Sequence, residues 1–249
     1  MTLDSRLSAA LCVASLTWTA CGGTPAEVVE RTVEAPISRS ARADDGGGPA
    51  ERPPESAARP RVVILGDSLT AGLGLASEDA YPARLQARVD ARGWPIEIAA
   101  MGVSGDTTAG GLRRLDWALD GDVRLLLVAL GGNDALRGLP VGQMEDNLAG
   151  IIDGALDRGI RVVLAGMEAP PNFGSAYTSN FRDVFRRLAE SRDVTFVPFL
   201  LEGVAGVPDL NQADGIHPNE AGAARVAEHL WPGLEPLLRG IAAEQEVVP

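Results

Sequence analysis

The sequence predicts a three-layer α/β domain over residues 61–239, a parallel sheet with helices on both faces. Two features carry that expectation. Five short apolar runs recur along this part of the chain, each too short for a helix and without polar alternation, as suits strands buried on both faces. Between them, apolar residues fall at spacings of three and four, which gathers them on one side of a helix. Strands alternating with helices at this interval imply right-handed crossovers, and therefore strands that run parallel.

The first run is Val62-Val63-Ile64-Leu65, bounded by Pro60 and Gly66. A helix is expected from Tyr81 to Arg92, followed by a weaker strand at Ile96-Glu97-Ile98-Ala99. A second helix is expected from Thr107 to Leu119, before the longest run, Leu125 to Leu130. Met144, Leu148, Ile151, Ile152 and Ala155 then mark a third helix, with Gly159 as its C-terminal stop. Val162 to Ala165 reads as the fourth strand, Tyr177 to Ser191 as a helix, Val194 to Val197 as the fifth strand and Asn219 to Leu230 as the last helix. Residues 240–249 read as a tail. Aromatic residues make up 4% of the chain, so the core must be mainly Leu, Val, Ile and Ala.

The front of the chain has a different character. Residues 1–20 read as an export signal: Arg6 precedes an apolar stretch from Leu7 to Ala20 that ends in small residues and is too short to span a bilayer. Trp18-Thr19-Ala20-Cys21-Gly22 resembles a bacterial lipoprotein cleavage site with Cys21 as the lipidated residue, although Leu is usual where Trp18 stands. An ordinary signal peptide with an incidental cysteine is the other reading. Residues 21–60 contain Gly46-Gly47-Gly48-Pro49 and Arg52-Pro53-Pro54-Glu55 with few large apolar groups, the composition of a disordered tether. The expected location is the bacterial cell envelope, anchored to a membrane through Cys21, or alternatively secreted.

Charge and composition exclude several classes. The chain has 249 residues and a net charge of −12; all 22 basic residues are arginine. That balance argues against general nucleic-acid binding, which needs clustered positive charge. Two cysteines and two histidines are too few for a disulfide scaffold or a Cys/His zinc module.

In parallel α/β sheets the chemistry gathers at the carboxyl ends of the strands. After the first run stands Gly66-Asp67-Ser68-Leu69, after the second Gly102-Val103-Ser104-Gly105-Asp106-Thr107, after the third Gly131-Gly132-Asn133-Asp134, and beyond the fifth Asp214-Gly215-Ile216-His217-Pro218. A serine hydroxyl needs a base during attack. Asp214 lies three residues before His217 with Gly215 between, so one tight turn can present the carboxylate to one imidazole nitrogen and Nε2 to Ser68. Backbone N–H groups of Ser68 and Gly105 and the amide of Asn133 can receive a developing oxyanion. Taken singly, Ser68 serves equally as a helix N-cap, Asn133 as a turn residue and His217 as a loop residue. His229 reads as an ordinary polar-face residue of the last helix.

As an ordered set these motifs resemble the SGNH/GDSL hydrolase family, named for residue types found here as Ser68, Gly105, Asn133 and His217. Within it the chain is most similar to the thioesterase I/lysophospholipase L1 and arylesterase subgroup, and the resemblance runs from about Arg61 to Leu238. Two departures stand out. Ala100 replaces an asparagine common in the second block, and Thr70 rules out the Gly-x-Ser-x-Gly elbow of ordinary α/β-hydrolases. The resemblance implies a flavodoxin-like sheet of five strands in the order 2-1-3-4-5. It also implies a serine esterase that hydrolyses carboxylic esters or thioesters through an acyl-enzyme, with Ser68, Asp214 and His217 catalytic and no metal or organic cofactor. Aryl or fatty-acyl esters and lysophospholipids are the implied substrates. The sequence leaves the oligomeric state open; a monomer is the expectation. A segment from Asp134 through Pro140 is expected against the acyl chain, with Leu136 and Leu139 among its apolar groups, and Met167 and Ala169 to Phe173 as a further wall. A carbohydrate or cell-wall O-acetyl esterase, and a non-catalytic surface lipoprotein on a retired hydrolase fold, are the competing readings.

Overall fold

The computed structural model describes residues 59–246. The expected export signal, Cys21 and all but the last two residues of the expected tether lie outside the described residues.

The elements follow in the order β1 (Arg61–Gly66), α1 (Ser68–Ala71), α2 (Tyr81–Asp90), β2 (Glu97–Gly102), α3 (Thr108–Arg113), α4 (Leu115–Ala118), β3 (Val123–Ala129), α5 (Gly132–Leu136), α6 (Val141–Leu156), β4 (Arg161–Ala165), α7 (Ser175–Arg192), β5 (Thr195–Val197) and α8 (Glu220–Glu246). The five strands form one parallel sheet in the order β2-β1-β3-β4-β5, the order that the resemblance implied. The interior of β1 and the Leu125–Val128 stretch of β3 are buried, which is why both read as unbroken apolar runs. Helices cover both faces: α2 packs against α8, while α3 and α7 flank α6.

Register positions the site. Gly66 at the end of β1 lies beside Gly102 of β2 and Ala129 of β3, so the segments following these three strands leave the sheet at one level. β1 sits between β2 and β3, where the strand order reverses and a crevice opens at the carboxyl edge. Close approach there demands glycine. A Cβ on Gly66 would stand 1.9 Å from Thr70 Oγ1, and one on Gly102 would stand 2.2 Å from the backbone nitrogen of Ala71.

Several elements differ from expectation. The single helix expected from Thr107 to Leu119 is two, broken at Arg114, whose guanidinium turns toward the strand ends. The last helix does not stop at Leu230 but runs to Glu246 with Pro232 and Pro236 inside it. Proline lacks the N–H that continues a helix, so the sequence reads as a stop. Burial of Leu234, Leu238, Ile241 and Ala242 holds the helix together past both prolines. The domain boundary expected at residue 239 therefore lies inside packed structure, and residues 240–246 are helical core-covering chain, not tail. Finally, α5 has no counterpart in the sequence reading and α1 only the N-cap signal at Ser68; each is too short to show periodicity.

Candidate active site

Ser68 is the first residue of α1 and is largely buried. The N-cap is not Ser68 but Asp67, whose Oδ1 accepts the N–H of Leu69 at 3.0 Å. With the cap supplied by its neighbour, the Ser68 hydroxyl is free for another partner. That partner is His217 Nε2, 2.9 Å away across 149 positions of sequence.

The loop carrying His217 is ordered by hydrogen bonds among near neighbours. Asp214 Oδ1 accepts the N–H groups of Ile216 at 2.9 Å and His217 at 3.1 Å, and its Oδ2 lies 2.7 Å from His217 Nδ1. These hydrogen bonds, first from the Ile216 N–H and then from the imidazole and backbone of His217, pull the Asp214 carboxyl down to about 2. An ionised carboxylate only accepts, so the Nδ1 position carries the proton and donates to it. In the neutral imidazole Nε2 is then the unprotonated nitrogen and accepts from the Ser68 hydroxyl. Gln212 ties this turn to the rest: its N–H donates to the His217 carbonyl at 2.7 Å, and its Nε2 donates to the Leu73 carbonyl at 2.7 Å. Asn219 closes the far side by accepting the N–H of Gly222 at the start of α8.

On the opposite side of Ser68, Gly105 sits at φ +80°, in the left-handed region that glycine enters without strain. Among the described residues, the N–H groups of Ser68 and Gly105 have no protein acceptor. Arg114 underpins this turn. Its Nε donates to Asp106 at 2.8 Å, Nη1 to the Met101 carbonyl at 2.9 Å and Nη2 to the Gly66 carbonyl at 2.8 Å. Arg137 adds a bond from Nη2 to the Gly105 carbonyl at 2.7 Å. These contacts support the turn although Ala100 offers no side-chain hydrogen bond. Asn133, in the first turn of α5, donates from Nδ2 to Asp67 Oδ2 at 3.1 Å.

Ser68, Gly105, Asn133 and His217 line one cleft of about 700 Å³, together with Leu73, Met167, Ala169, Pro170, Phe199, Leu201 and Ile216. Of the expected substrate loop, Leu136 lines the cleft; Asp134, Leu139 and Pro140 do not. Asp134 is buried, with its carboxylate accepting the N–H of Thr108 at 2.9 Å and the Thr108 hydroxyl at 2.6 Å, so it is committed to the fold. Leu139 instead gives its carbonyl to the Tyr177 hydroxyl. Phe173 packs beside Tyr177, outside the cleft lining. His229, on α8, reaches the Phe199 carbonyl and stands apart from Ser68. The supporting roles of Asp67, Arg114, Arg137 and Gln212 were not evident from sequence. Asp67 stood inside a quoted motif, and the other three carried no signal beyond residue type.

Comparison with known proteins places the chain in a family. The GDSL-like Lipase/Acylhydrolase family matches residues 64–225. Esterase TesA of Pseudomonas aeruginosa is 41% identical over 185 residues, covering 74% of this chain and 92% of TesA. An arylesterase of Vibrio mimicus is 37% identical over 174 residues, covering 70% of this chain and 87% of the arylesterase. The thioesterase 1/protease 1/lysophospholipase L1 of Escherichia coli is 35% identical over 184 residues, covering 74% and 87% respectively. Among solved structures, TesA superposes with a TM-score of 0.69 at 41% identity, covering 71% of this chain and 99% of that one. AlinE4, an SGNH-hydrolase family esterase, superposes with a TM-score of 0.60 at 40% identity, covering 76% and 97%. The chain belongs to the GDSL-like lipase/acylhydrolase family and is a hydrolase of the serine-esterase type.

Proposed function

We propose that Ser68, His217 and Asp214 form the catalytic triad of an esterase acting on acyl chains longer than acetyl, with Ser68, Gly105 and Asn133 as its oxyanion hole. The observation that carries the chemistry is the continuous Asp214–His217–Ser68 hydrogen-bond chain at 2.7 and 2.9 Å. Ser68 Oγ attacks the ester or thioester carbonyl carbon as its proton passes to Nε2 of His217. The carbonyl oxygen becomes an oxyanion facing the N–H groups of Ser68 and Gly105 and the Asn133 amide. Each such donor is worth about 3–4 kcal/mol in the transition state. Collapse of the intermediate breaks the bond to the leaving alcohol or thiol, which takes the proton from His217. Water then attacks the acyl-enzyme by the same route, releasing the acid and restoring Ser68. Asp214 holds the imidazole in the tautomer this cycle needs and stabilises the imidazolium.

The cleft supports the acyl preference. Leu73, Leu136 and Ile216 line it and remain about half exposed, so an apolar wall runs from Ser68 to the surface. Its volume suits a ligand larger than acetate. A relative named thioesterase 1/protease 1/lysophospholipase L1 points the same way. Initial rates on p-nitrophenyl esters from acetyl to palmitoyl test the reading. A maximum at butyryl or longer is expected; a maximum confined to acetyl overturns it. Residues Leu7 to Cys21 support export and lipid anchoring of the enzyme to a membrane.

A further inference from the structure

Asp67 takes no part in the proton transfers above, yet it is a carboxylate 3% exposed at the edge of the cleft. Its two oxygens are divided between two duties. Oδ1 accepts the Leu69 N–H at 3.0 Å and so caps α1, while Oδ2 accepts from Asn133 Nδ2 at 3.1 Å. The second contact spans 66 positions of sequence and joins the loop after β1 to the helix after β3. A side chain at Gly132 would bring its Cβ to 3.4 Å from Oδ2, so the glycine keeps this side of the carboxylate clear.

A primary amide has one end that donates and one that accepts, and a rotation of half a turn exchanges them. An oxyanion needs the donating end. Asn133 Nδ2 has two hydrogens in one plane, so spending one on Asp67 fixes the direction of the other. The opposite orientation would set Asn133 Oδ1 against the Asp67 carboxylate, oxygen to oxygen. We propose that Asp67 is a positioning residue that makes Asn133 an oxyanion donor, by holding its amide so that Nδ2 and not Oδ1 faces the reacting carbonyl. This inference rests on the assignment of Asn133 to the oxyanion hole. Burial pushes the Asp67 carboxyl up, against hydrogen bonds from the Leu69 N–H and the Asn133 amide and the charge of a protonated His217. A buried carboxylate is an expensive acceptor, and its retention here agrees with a task that a neutral amide cannot perform.

The test is a double-mutant cycle on the full chain, reading kcat and KM on p-nitrophenyl butyrate and the thermal midpoint of each variant. In Asp67→Asn, the introduced amide can offer its oxygen to Leu69 only by turning its NH2 toward Asn133, which draws Asn133 Oδ1 into the place of Nδ2. Asp67→Asn is therefore expected to lower kcat about 100-fold, at least as much as Asn133→Ala, with KM little changed. Adding Asp67→Asn to Asn133→Ala is expected to change kcat less than about threefold. Asp67→Ser separates the two duties, because serine is an equally good N-cap but does not reach Asn133. It is expected to fold and to lose kcat as Asp67→Asn does, and it stands in for Asp67→Asn in the cycle if that variant does not fold. Recovery of wild-type kcat in Asp67→Ser, or losses that multiply in the double variant, overturns the inference and leaves the oxyanion assignment standing. Wild-type kcat in Asn133→Ala overturns both.

Discussion

The two sides of the cleft meet at Ser68 but are held in different ways, and their carboxylates show it. Asp67 is 3% exposed and reaches Asn133 on a distant element, whereas the Asp214 side chain is 45% exposed and bonded within its own turn. The Gly105–Asn133 side is tied to the sheet by long-range bonds: Arg114 to the carbonyls of Gly66 and Met101, Asp134 to Thr108, Arg137 to the Gly105 carbonyl. The loop of Asp214 and His217 is largely self-contained and is delivered to Ser68 through Gln212. One side depends on the whole sheet for its geometry, the other on a spacing of three residues. The two carboxylates also respond in opposite directions: burial pushes Asp67 up, and hydrogen bonds within the turn pull Asp214 down to about 2.

The largest expected effect falls at the junction. His217→Ala removes the base and should lower kcat/KM by about 10,000-fold or more while the chain still folds, since the imidazole sits on a surface loop. Near wild-type turnover of an aryl ester by that variant would break the comparison at its root.

The dependence of the Gly105 side on the sheet is tested at Arg114. Its pair with Asp106 is largely buried, and Arg114→Leu leaves Asp106 without this partner and removes a donor from the Gly66 and Met101 carbonyls. A loss of about 2–4 kcal/mol in urea unfolding is expected, together with slower turnover as the Gly105 turn loosens. Full stability would show that the turn is as self-contained as the His217 loop.

A smaller effect is expected at Asp214, because water competes for an exposed carboxylate and screens it. Asp214→Ala, which removes the carboxylate without putting an amide NH2 against Nδ1, should lower kcat by about 10–100-fold, less than loss of the base. A loss as large as that of His217→Ala would show that exposure is irrelevant here.

The pH dependence of stability sharpens the contrast with the smallest signal. Asp214 releases its proton more readily folded than unfolded, so its contribution is present above the ordinary 3.8 and is lost as pH falls through about 2. Asp67 holds its proton more tightly folded, so its contribution falls as pH rises through 3.8 toward its raised value. Relative to wild type, Asp67→Asn should gain stability as pH rises from about 3.8, and Asp214→Asn should lose it as pH rises from about 2 to 3.8. Melting curves of the three proteins across acidic pH check both signs; parallel curves would remove the distinction.

Much of the fold was legible because burial on both faces forces continuous apolar runs, and each of the five runs overlaps an observed strand. The errors have equally physical causes. Pro232 reads as a stop because the local hydrogen bond is lost, and packing of Leu234, Leu238 and Ile241 outweighs that loss. Asp134 reads as a loop residue facing substrate because nothing nearby shows that Thr108 will claim its carboxylate.

Local pattern alone determined where the five strands and the main helices begin, and that Asp214 and His217 share a turn, because the interactions responsible lie within a few residues. Only the folded chain decided which oxygen of Asp67 meets Asn133, why Arg114 interrupts a helix, and that a hydroxyl and an imidazole 149 positions apart stand 2.9 Å from one another. Those pairings depend on strand register, which sets Gly66 beside Gly102 and Ala129, and register is a property of several distant segments packed at once.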